Sequence, residues 1–222
     1  MSKYEFVTKK EYSPIRLELE EIIKNVQNIL RKDFTFQFKL VGSGNRHLIT
    51  REINGNKGFD FDYNLILNKY YSNPKYVKEK IIKAINQAIK GTKYDFAENS
   101  TTSITIKVKD TKNKKIEHSC DFAIVYYSET SEEKSFKYIQ YDKIKNQYIW
   151  TIRQNSNNID DKLVWLRKHV NNYWSLIREN YLNLKNTNKD EHKHSFQLYY
   201  ETINNLYNKY SNRKPKFINT TR

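Results

Sequence analysis

Asp60 and Asp62 stand two residues apart in the stretch GFDFDYNLILN, residues 58 to 68. As a strand, this stretch points Phe59, Phe61 and Tyr63 one way and both carboxylates the other, close enough to share a divalent ion or bracket two of them. Hard oxygen ligands suit Mg2+ or Mn2+, and Mg2+ is commonly held by one or two carboxylates together with waters and substrate phosphates. Upstream, Gly42 and Ser43 close a run of alternating apolar residues. Glycine lets backbone N–H groups approach an anion and the serine hydroxyl adds a donor, a pairing suited to phosphate. Downstream, Asp121 lies inside the otherwise apolar IEHSCDFAIVYY, where a carboxylate is costly to bury without a cation. An Asp-x-Asp pair alone is more often a solvated strand edge than a site. The Gly-Ser turn before it and the carboxylate after it reverse that weighting, with Asp95, Asp110 and Glu117 as rivals to Asp121.

Other chemistry-bearing side chains carry less. The histidines, His47, His118, His169, His192 and His194, lack metal-ligand spacing on a helix, and the single cysteine, Cys120, has no evident activating partner. One cysteine excludes an internal disulfide and a multi-cysteine zinc site. Among 222 residues, Lys and Arg number 40 against 25 Asp and Glu, a formal net charge of +15 that favours a polyanionic partner such as RNA or nucleotides. Abundant Asn, Ile and Tyr suggest an A+T-rich coding sequence, which raises lysine without selection for a partner. The N-terminal MSKYEFVTKKEY has no apolar signal-peptide region, and no window approaches the ~18 apolar residues of a membrane span. The expectation is a cytoplasmic protein without a membrane partner.

The elements that must hold these groups follow from periodicity. Ser13 as N-cap and Pro14 at the first helical position predict a long helix with Ile15, Leu19, Ile22, Ile23, Val26, Ile29 and Leu30 on one stripe, ending near Lys32. FTFQFKLVGSG reads as a strand delivering the glycine turn, followed by a polar stretch to Gly58 that contains Arg46, His47, Arg51 and Lys57, either a source of further phosphate contacts or simply a mobile loop. After the strand of Asp60 and Asp62, Asn73 caps a second helix with Pro74 at its first position and Gly91 as terminator. Residues 102 to 109 pair with IEHSCDFAIVYY in a hairpin, and FKYIQYD with NQYIWTI in another. From Ile159 the period turns helical: Leu163, Leu166, His169, Val170, Tyr173, Trp174 and Ile177 share a broad face, and a later helix carries Phe196, Tyr199, Tyr200, Ile203, Leu206 and Tyr207. The fold class is α+β, a mixed sheet with a long N-terminal helix and a helical C-terminal part. The Asn-rich QNSNN sets the boundary between a core at residues 1–153 and a helical subdomain at 154–222, whose end, SNRKPKFINTTR, reads as a loosely held basic tail.

The order of these parts resembles the DNA polymerase beta-like nucleotidyltransferase superfamily, whose signature is a Gly-Ser turn, a paired acidic motif on the next strand and a third carboxylate on a neighbouring one; Gly42, Ser43, Asp60, Asp62 and Asp121 match it one for one. The helix before the first strand and HSFQLYYETINNLY near the end look most like the oligoadenylate synthetase and cyclic GMP-AMP synthase branch. That resemblance implies that Ser195 contacts phosphate and Phe196 stacks on a nucleobase, with Lys168 and Arg178 as candidates for the basic residue offered to the triphosphate and Arg46 as a phosphate clamp or a surface arginine. It implies two Mg2+ (or Mn2+) ions on Asp60, Asp62 and Asp121, a nucleoside triphosphate as substrate, and transfer of its monophosphate to an acceptor hydroxyl on RNA or a nucleotide. The alternatives are a cyclic or linear oligonucleotide second-messenger synthase, an antibiotic or protein acceptor, and an idle nucleotide- or RNA-binding module. The core resemblance covers roughly residues 13 to 127. The connection from Ser43 to Asp60 is long for the family, and the C-terminal part is short.

Overall fold

The N-terminal helix is set by a cap the sequence displays at Thr8. In the computed structural model, which describes residues 3–127, 136–153, 158–190 and 192–212, helix α1 runs from Lys9–Leu30. Thr8 Oγ1 accepts from the Glu11 N–H at 3.3 Å, and Glu11 Oε2 accepts from the Thr8 N–H at 3.1 Å. Such a reciprocal box stabilises a helix start by about 1 kcal/mol. The expected start at Ser13 and Pro14 is therefore corrected: Pro14 sits inside the helix. Its missing N–H costs one backbone bond, which the cap and the buried stripe of Leu19, Ile22, Ile23, Val26 and Leu30 offset.

Contacts group the chain into two units, Met1–Asn155 and Ser156–Arg222. In the first unit, strand β1 (Tyr4–Phe6) precedes α1, and β2 (Phe36–Val41) leads into a short helical turn α2 (Gly42–Asn45). Strand β3 (Thr50–Glu52) pairs with β1, a ribbon inside the stretch expected to be loop. It was hidden because each strand has three residues, too few for alternation to register. Then follow β4 (Phe59–Leu67), helix α3 (Pro74–Ala88), β5 (Glu98–Asn99), β6 (Ile104–Asp110), β7 (Lys115–Tyr127), β8 (Phe136–Asp142) and β9 (Gln147–Arg153). Asn73 caps α3, accepting from the Tyr76 N–H at 3.0 Å, and both expected hairpins, β6–β7 and β8–β9, are present.

The larger sheet has the order β2-β4-β7-β6-β5, with β8 pairing the end of β7 and β9 pairing β8. It is mixed: β4 and β7 run parallel, while β2–β4 and β6–β7 are antiparallel. One face is apolar. Phe59, Phe61, Tyr63 and Leu65 of β4, Cys120, Phe122 and Ile124 of β7, and Ile104, Ile106 and Val108 of β6 are buried in one core with the stripes of α1 and α3. A two-residue period sends the intervening residues to the opposite face.

The second unit contains α4 (Asn158–His169), α5 (Tyr173–Thr187) and α6 (Ser195–Ser211), with α6 packed against both others. The broad face read through Leu163 to Ile177 is divided between two helices, because Asn172 adopts the left-handed conformation at φ 55°. Asparagine is among the few non-glycine residues that tolerate it. Most of QNSNN and of the basic tail lies outside the described residues.

Candidate active site

Strand register brings the acidic residues together. Val41 of β2 opposes Asp62 of β4, Asp62 opposes Asp121 of β7, and Asp121 opposes Thr105 of β6. Residues directly opposed across a sheet project to the same face from strands ~4.8 Å apart, so Asp62 and Asp121 are side-by-side neighbours. Asp60, two residues earlier on β4, shares that face and is exposed. The alternation that buries Phe59, Phe61 and Tyr63 delivers both β4 carboxylates to the polar side.

Gly42 closes the end of this row. It has φ +61°, and a Cβ built on it would lie 2.2 Å from Asp62 Oδ2. Only glycine permits this turn and this carboxylate position together. Ser43 follows in α2, its carbonyl accepting from the Leu48 N–H at 2.9 Å. Burial, then the charges of Asp60 and Asp121, push the Asp62 carboxyl up to about 7, and Arg46 acts against the rise. Arg46 is thereby within electrostatic reach of the acids. The Cys120 thiol, fully buried on the other face, is pushed up by burial and then by Asp121, Asp62 and Asp60, so it is no nucleophile.

The rivals for the third carboxylate are placed elsewhere. Asp95 pairs with Lys109 at 2.7 Å, and Asp110 accepts from the Asn113 backbone and side chain. Glu117 lies where the β6–β7 register shifts, four residues before Asp121. Of the basic residues considered for phosphate contact in this stretch, Arg51 is engaged elsewhere: its guanidinium bonds Glu5 at 2.6 Å and Glu11 at 2.7 Å and so joins the β1–β3 ribbon to α1. His47 bonds the Tyr12 hydroxyl through Nδ1 at 2.8 Å.

Sequence reasoning missed two groups around Asp121. Its Oδ1 accepts from the Thr105 hydroxyl and from Ser103 Oγ at 3.4 Å. In ITIKVKD, Thr105 takes a polar place between Ile104 and Ile106, yet at 8% exposure it is buried. Lys78 was also passed over, although residues 78, 81, 82 and 85 share one helical face. It is 1% exposed and donates to the Ser100 carbonyl at 2.5 Å.

Whether these residues suit a divalent ion can be judged from the donors and the charge. Asp62 lies in electrostatic reach of both Asp60 and Asp121, and its carboxyl is raised first by burial and then by those two charges, a cost that a cation would relieve. Among the described residues no three His, Cys, Asp or Glu side chains converge tightly enough to form a ready metal cage. The donor set fits Mg2+, which dehydrates reluctantly and takes few protein ligands, better than an ion needing an all-protein cage.

The remaining expected site residues lie in the second unit. Ser195 opens α6 and its hydroxyl accepts from Lys185 Nζ at 3.0 Å. Phe196 is 47% exposed, with the Tyr200 ring 6.4 Å away. Lys168 is exposed in the last turn of α4, and Arg178 is half-buried on α5.

No family model and no curated protein matches the chain. Solved structures match it in fold. Vibrio cholerae DncV cyclic AMP-GMP synthase in complex with the linear intermediate 5' pppA(3',5')pG aligns over 92% of this chain and 73% of its own, with 10% identity and a TM-score of 0.61. The STING-associated CdnE c-di-GMP synthase from Capnocytophaga granulosa aligns over 95% of this chain and 64% of its own, with 16% identity and a TM-score of 0.59. A further DncV structure, described as a prokaryotic cGAS homolog, aligns over 81% and 61%, with 11% identity and a TM-score of 0.58. The chain spans under two thirds of the length of the last two. At such identities the likeness establishes the fold alone: the chain shares the α+β fold of these synthases, the fold that the sequence resemblance implied.

Proposed function

We propose that the protein is a nucleotidyltransferase that joins a nucleoside monophosphate, taken from a nucleoside triphosphate, to a hydroxyl of a second nucleotide, making a linear or cyclic oligonucleotide signal. The observation that carries this reading is the row in which Asp62 and Asp121 are opposed in register, Asp60 shares their strand face, and Gly42 lies against the Asp62 carboxylate. The choice of a nucleotide acceptor over RNA draws support from the fold neighbours, whose descriptions name cyclic AMP-GMP and c-di-GMP synthases.

In the reaction the acceptor hydroxyl loses its proton to solvent water, its oxygen bonds to the α-phosphorus, the bond from that phosphorus to the bridging oxygen breaks, and pyrophosphate leaves. Asp60, Asp62 and Asp121 would hold the two Mg2+ or Mn2+ ions, which would supply charge neutralisation and a lowered pKa for the acceptor hydroxyl. Gly42 and Ser43 position the β- and γ-phosphates, and Arg46 adds positive charge beside them. Residues 1–153 serve as the catalytic core. Residues 154–222 serve as a helical subdomain that carries Ser195, Phe196, Lys168 and Arg178, the phosphate- and base-contact candidates of the sequence reading.

The test is incubation of the protein with each labelled ribonucleoside triphosphate and Mg2+ or Mn2+, with and without RNA, products being separated by size. Small products that vanish in Asp60→Ala/Asp62→Ala support a signal synthase. Label on RNA with the same dependence moves the acceptor to RNA, the second reading that the net charge of +15 favours. Nucleotide binding without turnover, unchanged in the double variant, makes the protein a binding module instead.

A further inference from the structure

The hydroxyls on Asp121 form a directed chain. A hydroxyl has one proton to donate. If Thr105 Oγ1 spends it on Asp121 Oδ1, then Ser100 Oγ, 3.4 Å from Thr105 Oγ1, donates to Thr105 in turn. Ser103 Oγ reaches the same Oδ1 from the turn in which the Ser100 N–H donates to the Ser103 carbonyl at 3.1 Å. That turn is fastened from below. Lys78, buried on α3, donates to the Ser100 carbonyl, and its ammonium lies 5.0 Å from the centre of the Tyr148 ring. The Tyr148 hydroxyl accepts from Asn99, and the Tyr141 N–H of β8 donates to the Thr101 carbonyl at 2.8 Å. A buried ammonium is expensive, and burial alone accounts for the fall of the Lys78 pKa to about 8. Its position is explained if it fixes the turn that supplies Ser100 and Ser103.

Both hydroxyls, Thr105 closely and Ser103 at 3.4 Å, are directed at Oδ1 and compete with a cation for that oxygen, which favours Oδ2 as the oxygen Asp121 offers to a metal. We infer that Thr105, backed by Ser103 and the Lys78-anchored turn, is a positioning residue that restricts Asp121 to one-oxygen coordination and so makes the site prefer Mg2+ to Ca2+. Ca2+ takes six to eight oxygens and accepts carboxylates in the two-oxygen mode, whereas Mg2+ takes an octahedral set with one oxygen from each carboxylate. This inference rests on the metal site of the proposed function.

The experiment is calorimetric titration of the metal-free full chain with Mg2+ and with Ca2+, in the presence of a non-hydrolysable triphosphate analogue, for wild type, Thr105→Val, Thr105→Ser and Lys78→Met. Valine matches threonine in shape and removes the donor. It is expected to weaken Mg2+ by about tenfold or more, the usual effect of losing a partner of a metal ligand, and to weaken Ca2+ less. Serine restores the preference, and Lys78→Met narrows it in the same direction as valine, less severely. An unchanged Mg2+-to-Ca2+ preference in Thr105→Val, or equal weakening of both ions without rescue by serine, overturns the positioning role and leaves the proposed function standing. Absence of Mg2+ binding in the wild type with the analogue present overturns both.

Discussion

Asp62→Asn is expected to make the metal-free protein more stable at pH 8 while abolishing its response to metal. The Asp62 carboxyl rises from 3.8 to about 7 through burial and the charges of Asp60 and Asp121. A carboxyl whose folded pKa exceeds its unfolded value stabilises the fold when protonated, and that stability is lost as pH climbs from about 4 through about 7. A rise of roughly three pKa units at ~1.36 kcal/mol each sets a ceiling of about 4 kcal/mol, and partial exposure of the side chain reduces it to about 2 kcal/mol. At ~2–4 °C per kcal/mol for a chain of this size, the asparagine variant should melt about 4–8 °C higher than wild type at pH 8 in chelator. The two should converge near pH 4, where the wild-type carboxyl is protonated. With Mg2+ and a triphosphate analogue the order should reverse, since only the wild type retains the ligand. Melting curves at pH 4, 6 and 8, with and without metal, give the answer. An asparagine variant no more stable than wild type at pH 8 without metal refutes the view that burial and the neighbouring carboxylates make a charged Asp62 costly to the fold.

His118 lies in the core, stacked on Phe59 and 3.2 Å from the Tyr94 hydroxyl, and burial holds its pKa down to about 4. The stability it contributes is present above pH 6.5 and is lost as pH falls toward 4; its ring resonances should not titrate above pH 5, and a midpoint near 6.5 contradicts its burial. Gly42→Ala places a methyl 2.2 Å from Asp62 Oδ2 at a left-handed φ. It should cost at least about 1–2 kcal/mol in denaturant melts and remove metal-dependent stabilisation, and a variant that still responds to Mg2+ contradicts the placement of the carboxylate. Lys78 has a folded pKa near 8, below its unfolded value of 10.5. Wild type should therefore gain stability relative to Lys78→Met as pH rises from 8 toward 10.5, and parallel stability profiles would show that the ammonium is not desolvated.

How much of this was legible depended on whether the information was local. Alternation in residues 58 to 68 and in ITIKVKD is a two-residue period, and the facing of Asp60, Asp62, Phe59 and Phe61 follows from pleat geometry alone. Asn73 with Pro74 placed the start of α3 because a cap is a contact between near neighbours. The same kind of signal was present at Thr8 and Glu11, but Pro14, a residue favoured at a first helical position, offered a competing start five residues later. Chain order could put Gly42 before Asp60 and Asp121 after it. It could not say that Asp62 faces Asp121 across a parallel pair with α3, β5 and β6 between them in sequence, because register is set by burying two apolar faces at once. The apolar run around Asp121 singled it out from Asp95 and Asp110, but nothing local could assign Asp95 to Lys109 or Arg51 to Glu5 and Glu11, since those partners come from distant segments. The sequence by itself determined which side chains share a strand face and which stripes must be covered. The tertiary structure decided which carboxylates become neighbours, that a buried threonine holds one of them, and that a lysine lies beneath the turn, because burial and long-range pairing are properties of the packed chain.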